Sequence, residues 1–378
     1  MSMVDEVSEK TGRYFPHPAV QRFTSGVYPD HHALVTASQD TLKENYPRYS
    51  RFGTPVTDAV EQEVTRLEGG YGSLCVCSGL AAITSTLLAF LRPGDHILVN
   101  RSVYEPVRHF INTYLSQRGV SATFLSSSEF MECDKFLKKS TTLIYIESPS
   151  SNVFEVTDIE FVVNQAQKNN ILVVMDNTWS TPLLMNPIKH GVDVVIHSAS
   201  KYLSGHSDAV AGIITTTEKY FSPLRKYLMM AGICLGGEES FSIYKGLKTL
   251  GVRLDTQANS ASKIIELLSY HPHVGTVLAP QLITHPDHCT YNKYYKKYNG
   301  VFSFSVACVS DKKRDEFLAG FKIFKLAYGW GGVDSCIIPF TLTHFLISDP
   351  TQLFFRVSTG LEECDLLIAD FKNALSFL

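Results

Sequence analysis

Short apolar runs alternate with amphipathic segments through the middle of this chain. The apolar runs have the length of buried strands, whereas the longer segments repeat their apolar residues at helical spacing. Strands are predicted at 73–77, 96–100, 121–125, 142–148, 171–176, 193–197 and 211–216, and helices at 57–68, 79–91, 104–117 and 158–169. This alternation is typical of βαβ units, so we expect an α/β fold with a largely parallel mixed sheet.

The two ends of the chain follow other patterns. Residues 1–50 carry Pro and His without a strong period, and we interpret them as an arm that packs on a neighbouring subunit. After a long helical stretch at about 238–270, residues 302–306 alternate like a half-buried strand and residues 365–375 form an amphipathic pattern, which predicts a smaller α/β domain. The predicted division is an arm at 1–50, a large domain at 51–245 and a small domain at 246–378.

Composition narrows the class of protein. The chain has 378 residues, enough for more than one domain, and its net charge of -3 argues against a nucleic-acid partner. We predict no signal peptide and no membrane span, because the first residues include acids and no apolar run is long enough. The eight cysteines show neither a zinc spacing nor a disulfide framework. We therefore expect a cytoplasmic enzyme with reduced thiols and no metal.

Lys201 is the first candidate for chemistry. It ends the segment Asp193-Val-Val-Ile-His-Ser-Ala-Ser-Lys201, directly after an apolar strand and before a Gly-His turn. Apolar surroundings disfavour the charged ammonium, so the free amine can condense with an aldehyde. The aldehyde that this chemistry suggests is pyridoxal 5'-phosphate, which also needs an acid facing its ring nitrogen and ligands for its phosphate.

Asp176 is the candidate for that acid. It ends Ile171-Leu-Val-Val-Met-Asp176, which is predicted to be a buried parallel strand. Open α/β sheets bind their ligands at the carboxyl ends of the strands, where this carboxylate would keep a pyridine nitrogen protonated. The alternative is an aspartate that caps the following helix, and the segment alone does not decide between them.

A phosphate site is predicted where a strand turns into a helix at Cys77-Ser-Gly79-Leu80. Free N–H groups at a helix start attract anions. Ser198 and Ser200 add hydroxyl groups, and Tyr49-Ser-Arg51 adds a phenol and a guanidinium. Turns of this kind also occur in proteins that bind nothing, so Gly79 counts only together with the other groups.

These residues and several further motifs resemble the Cys/Met-metabolism family of pyridoxal-phosphate enzymes. The resemblance runs from about Pro18 to the C-terminus, and within the family the chain most resembles the cystathionine β-lyases. The motifs that carry it are Tyr49-Ser-Arg51-Phe-Gly-Thr, Leu67-Glu-Gly-Gly70, Cys77-Ser-Gly79, Tyr104-Glu-Pro106, Asp176-Asn-Thr-Trp179, Ser198-Ala-Ser-Lys201-Tyr-Leu-Ser-Gly-His-Ser-Asp208, Gly246-Leu-Lys-Thr-Leu-Gly-Val-Arg-Leu254 and Ala327-Tyr-Gly-Trp-Gly-Gly332.

The resemblance implies a fold type I pyridoxal-phosphate enzyme and a set of site residues. It implies that Tyr49 and Arg51 come from the neighbouring subunit, in a homotetramer built from dimers with shared sites. It gives catalytic roles to Lys201, Tyr104 and Tyr49, cofactor binding to Lys201, Asp176, Tyr104, Gly79, Leu80, Ser198, Ser200, Tyr49 and Arg51, and substrate binding to Arg356, Trp330 and Tyr49. Arg356 would hold the substrate carboxylate through its bidentate fork.

The activity that the resemblance implies is β-elimination, which splits the amino-acid thioether cystathionine into homocysteine, pyruvate and ammonia in methionine biosynthesis. Tyr328-Gly-Trp330-Gly-Gly resembles the β-lyase signature, and Thr54 replaces the asparagine that γ-acting relatives often carry. The positions that depart from the family pattern are Ser200, Phe241, His109 and Gly329. They leave the thiol that is released open, and γ-lyase or γ-synthase activity stays the alternative.

Two interpretations that assign the chain to other classes of protein compete with this enzyme. Ser198-Ala-Ser-Lys201 fits the Ser-x-x-Lys motif of serine acylases, but the companion Ser-Asp-Asn and Lys-Thr-Gly motifs are missing. A non-catalytic binding protein with the same fold is the second rival. A visible absorbance that disappears on borohydride reduction would separate the enzyme from both.

Overall fold

The computed structural model describes residues 18–39, 49–307, 310–341 and 352–378. The predicted arm falls largely on 1–17 and 40–48, which lie outside the described residues. Between these segments, helix α1 covers His31–Gln39, which the sequence pattern does not predict.

A seven-stranded sheet forms the larger part of the fold, with the strand order β1-β7-β6-β5-β4-β2-β3. Its strands are β1 Gly72–Val76, β2 His96–Asn100, β3 Ser121–Leu125, β4 Thr141–Glu147, β5 Leu172–Asp176, β6 Val194–His197 and β7 Gly212–Thr216. Strand β7 runs antiparallel to β1 and β6, and the other pairs are parallel. The prediction of a largely parallel mixed sheet is therefore confirmed.

Helices connect the strands of this sheet. They are α2 Pro55–Glu68, α3 Gly79–Phe90, α4 Glu105–Phe110, α5 Ser127–Phe130, α6 Ile159–Lys168, α7 Thr181–Leu184, α8 Glu218–Ala231 and α9 Gly237–Ser269. The predicted helix at 104–117 is not uniform, since α4 continues as a π-helical turn at Ile111–Leu115 and a 3-10 turn at Ser116–Arg118. The pattern misses α8, which carries Pro223 in its interior, where proline normally disfavours a helix.

Both faces of the large sheet are buried. In β5, Val173 and Met175 pack into the core on one face, whereas Leu172 and Val174 pack into the core on the other. Successive side chains of a strand point to opposite faces, so a continuous apolar run is what a doubly covered sheet requires. Polar residues are therefore left to the ends of these strands.

A second, five-stranded sheet lies in the C-terminal part, with the order β10-β11-β12-β9-β8. Its strands are β8 Val274–Leu278, β9 Val301–Ala307, β10 Lys325–Leu326, β11 Cys336–Phe340 and β12 Gln352–Ser358, and the accompanying helices are α10 His288–Tyr294, α11 Asp311–Gly320 and α12 Cys364–Leu375. The end of α9 and α12 bury a third core against this sheet. Helix α9 runs through position 245, so one helix joins the two parts.

Candidate active site

Three neighbouring parallel strands end in polar residues at one edge of the large sheet. Strand β4 ends at Glu147, β5 at Asp176 and β6 at His197, and Glu147 and Asp176 are register partners. The chain leaves β6 through Ser198 and reaches Lys201 within one turn, since the Lys201 N–H donates to the Ser198 carbonyl at 3.0 Å. The strand order thus brings Asp176 and the segment that carries Lys201 to the same edge.

Asp176 is a buried carboxyl with several polar neighbours. Its Oδ1 accepts the Thr178 N–H at 2.9 Å, and Thr178 Oγ1 in turn accepts the Ser198 N–H at 2.8 Å. Burial raises the pKa of Asp176, while its hydrogen bonds to Thr178 and the nearby His197 act in the opposite direction. Asp176 closes β5 rather than capping a helix, because no α-helix begins at the following residue.

Glu147 is a second buried acid that the sequence interpretation missed. Its Oε2 accepts the backbone N–H of Tyr104 at 2.8 Å. Burial raises the pKa of Glu147 well above its usual range, and the adjacent Asp176 raises it further. The pattern Leu143-Ile-Tyr-Ile-Glu147 repeats the apolar strand ending in an acid that identified Asp176.

Lys201 lies against the aromatic side chains of Trp330 and Tyr202. Its Nζ is 5.6 Å from the Trp330 ring centroid, and the Trp330 ring meets the Tyr202 ring edge-on at 5.6 Å. Burial lowers the pKa of Lys201, and the nearby Arg356 guanidinium lowers it further. Both causes favour the neutral amine, which is the form that can act as a nucleophile or a base.

Arg356 projects from β12 toward the same place. Its Nη2 donates to the Tyr328 carbonyl at 2.6 Å, and no carboxylate pairs with it in the part of the chain that the structure describes. Burial lowers the pKa of Arg356 to about 10. A largely buried guanidinium without an acid partner is costly, so this site favours an anionic ligand group.

The start of α3 forms a tight contact with Ser198. A β-carbon at Gly79 would lie 2.6 Å from Ser198 Cβ, so only glycine lets the two backbones approach this closely. The Ser78 hydroxyl accepts the Ala81 N–H, which leaves the N–H groups of Gly79 and Leu80 for an anion. The Ser200 hydroxyl donates its one proton to the Ala211 carbonyl at 3.2 Å. It must therefore rotate before it can donate a hydrogen bond to a phosphate.

The remaining predicted site residues lie nearer the surface. Tyr104 precedes α4 with its side chain about half exposed, and Tyr49 is similarly exposed. Leu80 is also exposed, so only its backbone suits an anion site. Arg51 donates to the Met229 carbonyl at 2.8 Å, and none of its contacts within the described residues involves Lys201, Asp176 or Ser198. Within one chain, the structure places Asp176, Ser198 and Gly79 at the edge that carries Lys201, with Trp330 and Arg356 near Lys201, but no contact among the described residues joins Tyr49 or Arg51 to them.

The positions that depart from the family pattern are not explained by steric limits. A β-carbon at Gly329 would meet nothing within 4 Å, so the neighbouring structure does not require glycine there. Thr54 caps α2 through a hydrogen bond to the Thr57 N–H. Phe241 lies in the first turns of α9 and His109 lies on α4, but nothing in the structure explains either choice.

The donor set fits pyridoxal 5'-phosphate. The lowered pKa of Lys201 suits an aldehyde, the buried Asp176 a ring nitrogen and the close Gly79–Ser198 contact a phosphate. Arg356, which has no acid partner among the described residues, suits a substrate carboxylate. Within the described ranges, we find neither a group of three His, Cys, Asp or Glu placed to hold a metal nor a helix able to span a membrane.

Comparison with known proteins gives a consistent result. The family model described as Cys/Met metabolism PLP-dependent enzyme matches residues 16–376. A cystathionine gamma-lyase from Bacillus subtilis is 34% identical over 86% of this chain and 88% of that protein. A cystathionine beta-lyase from Haemophilus influenzae is 31% identical over 94% of this chain and 92% of that protein. The crystal structure of cystathionine gamma synthase from Xanthomonas oryzae pv. oryzae in complex with cystathionine has a TM-score of 0.87 and 29% identity, covering 96% of this chain and 93% of that chain.

Proposed function

We propose that this chain, which belongs to the Cys/Met metabolism PLP-dependent enzyme family, cleaves L-cystathionine by β-elimination. Its fold is that of the fold type I pyridoxal-phosphate enzymes, with a large domain and a smaller C-terminal α/β domain. The family includes lyases and synthases that act on carbon–sulfur bonds, and the proposal selects one reaction among them. Cystathionine and water would give homocysteine, pyruvate and ammonia.

One observation carries the proposal: Lys201, Trp330 and Arg356 lie together. The Trp330 ring lies beside Lys201 Nζ and is held edge-on by Tyr202, which supports the β-lyase type of the Tyr328-Gly-Trp330-Gly-Gly segment. Arg356 has no carboxylate partner among the described residues, so its guanidinium could bind the α-carboxylate of an amino acid.

The chain's own groups have distinct tasks in this reaction. When bound, pyridoxal phosphate supplies an electron-withdrawing ring that stabilises negative charge at the substrate α-carbon. Lys201 Nζ would hold the cofactor by its aldehyde carbon and would act as the general base that takes the substrate α-proton. Arg356 would orient the substrate by its carboxylate, while Asp176 would pair with the ring nitrogen and Tyr104 would contact the ring.

The products distinguish the candidate reactions. Purified enzyme with cystathionine should release pyruvate and homocysteine in equal amounts, which coupled assays and thiol analysis measure. Release of 2-oxobutyrate and cysteine would instead identify γ-elimination. Exchange of the α-proton with solvent without either keto acid would contradict both lyase reactions.

We expect Arg356→Lys to lower kcat/KM for cystathionine by roughly tenfold or more, because lysine keeps the charge but loses the planar fork. A charge-assisted hydrogen bond is worth about 1.5–3 kcal/mol, and about 1.4 kcal/mol corresponds to a factor of ten. Steady-state kinetics with the variant measure this effect, and the cofactor absorbance should be retained. Unchanged kinetics would show that another group binds the carboxylate.

We further propose that two subunits complete each active site, in a cytoplasmic tetramer built from dimers. Tyr49 is about half exposed, and none of the contacts of Arg51 within the described ranges involves another candidate site residue. Met230, next to the carbonyl that Arg51 contacts, is strongly exposed and gives an apolar surface at this place. A neighbouring site is therefore where Tyr49 and Arg51 are expected to act.

Mixing inactive Lys201→Ala protein with inactive Arg51→Ala protein should restore activity. Random exchange of subunits gives hybrid dimers in which one of the two sites has both residues intact. Activity is measured after mixing, with native mass spectrometry to demonstrate exchange and with each parent alone as the control. If hybrids form but activity stays at the level of the parents, Arg51 does not act across the interface.

A further inference from the structure

Arg253 is a buried arginine outside the residues discussed so far. It lies in α9 with 3% of its surface exposed, and burial lowers its pKa to about 10. Its partners among the described residues are neutral: Nε donates to Thr249 Oγ1 at 3.0 Å, and Nη2 donates to the carbonyls of Tyr202 and Gly246 at 2.8 and 2.7 Å. Nη1 has no hydrogen-bond partner within the same ranges. Burying a charged guanidinium that has only neutral hydrogen-bond partners lowers the free energy of unfolding, so the presence of Arg253 here needs an explanation.

The guanidinium lies directly against the turn that follows Lys201. A β-carbon at Gly205 would come within 1.9 Å of Arg253 Nη1, and Gly205 has a φ of 67°. A β-carbon at Gly246 would lie 2.2 Å from the Ser204 carbonyl oxygen. Two glycines, one in the turn and one in α9, therefore allow the helix and the turn to approach closely.

Hydrogen bonds hold the turn on both sides of the carbonyl that Arg253 binds. The Gly205 N–H donates to the Lys201 carbonyl at 2.8 Å, and the Ser204 N–H donates to the Ala199 carbonyl at 2.9 Å. The Tyr202 carbonyl, which lies in the chain between Lys201 and Ser204, accepts a hydrogen bond from Arg253 Nη2. Since the Lys201 N–H is bound to the Ser198 carbonyl, the peptide groups on both sides of Lys201 are fixed.

We propose that Arg253 is a positioning residue, which clamps the Lys201–Gly205 turn to α9 and so fixes the direction of the Lys201 side chain. The inference rests on the role proposed for Lys201. It does not depend on which carbon–sulfur bond is broken. A group that moves a proton must stay within hydrogen-bond reach of it, so a loosened turn should affect catalysis more than substrate binding.

Hydrogen exchange of the full-length protein, with and without cofactor, tests the clamp. Arg253→Met keeps the length of the side chain but removes its donors, and the peptide containing Ser204 and Gly205 should exchange roughly tenfold faster or more. Arg253→Lys, which keeps three donors, should partly restore protection. Thr249→Val removes the acceptor of Nε and the hydrogen bond from Thr249 Oγ1 to the Gly246 carbonyl, and it should give a smaller change in the same direction. It serves as the test if Arg253→Met does not fold.

Leu268→Ala is the matched control, because Leu268 is fully buried in the same helix but belongs to the third core. It should lower the stability of the protein without changing exchange in the turn. In the loaded enzyme, Arg253→Lys should lower kcat several-fold with KM within about twofold of the wild type. Protection of the turn that is unchanged in every folded Arg253 and Thr249 variant, or changed equally by Leu268→Ala, would overturn the clamp. A wild type that fails to cleave cystathionine would contradict the proposed function and leave the exchange result standing.

Discussion

Lys201→Ala should abolish the visible absorbance that depends on the lysine and nearly all turnover. The variant loses both the amine that anchors the cofactor and the general base for the substrate α-proton. Positioned general bases contribute roughly a hundred- to ten-thousandfold, so kcat should fall at least into that range. Absorbance spectra and single-turnover assays measure the two effects separately.

The protein should still fold and can still take up the cofactor through the other groups. Lys201 is only partly buried, and its contact with Trp330 is a single long cation–π contact. Truncation there removes little packing, so the unfolding transition should change only slightly. Lys245 is a suitable control, because Lys245→Ala changes an exposed lysine of α9 and should leave turnover unchanged. Ordinary turnover by Lys201→Ala would refute the assigned role.

Local sequence patterns were sufficient to predict the strands and the site edge where an apolar run ends in a polar residue. The apolar runs ending at Asp176 and His197 predicted both the strands and the edge at which polar groups collect, and the sheet confirms that arrangement. Glu147 was not predicted although its strand has the same form, because the proposed ring-nitrogen contact needs only one acid. Glu147 lies beside Asp176 because of the register between β4 and β5, and this register cannot be predicted from the sequence of either strand.

Other features depend on contacts between distant segments. Strand β8 is mostly exposed and lacks a clean alternation, so its place in the second sheet follows from pairing with β9. Arg253 appears in sequence only as part of a helical motif, and its contact with the Lys201 turn requires the approach of Gly246 to Ser204. Tertiary contacts of this kind decide structure that local preferences leave open.

The two acids at the ends of β4 and β5 should respond very differently to removal of their charge. Asp176→Asn keeps the shape of the side chain but cannot hold a ring nitrogen in its protonated form. Removing one preorganised electrostatic group in a buried site costs roughly a hundred- to a thousandfold in kcat. We therefore expect a loss of that size in Asp176→Asn, together with weaker retention of the cofactor, which dialysis and absorbance measure.

Glu147→Gln is the matched control, since Glu147 is the register partner of Asp176 and burial raises its pKa well above the usual range. Its Oε1 can still accept the Tyr104 N–H, so turnover should stay within about threefold of the wild type. A raised pKa in the folded state means that Glu147 favours folding below its unfolded pKa of about 4.3, and that this contribution is lost as pH rises toward the folded value. Glu147→Gln cannot ionise, so its stability relative to the wild type should increase with pH in denaturant titrations. Equal losses of turnover in the two variants would mean that the reaction depends on both acids rather than on Asp176.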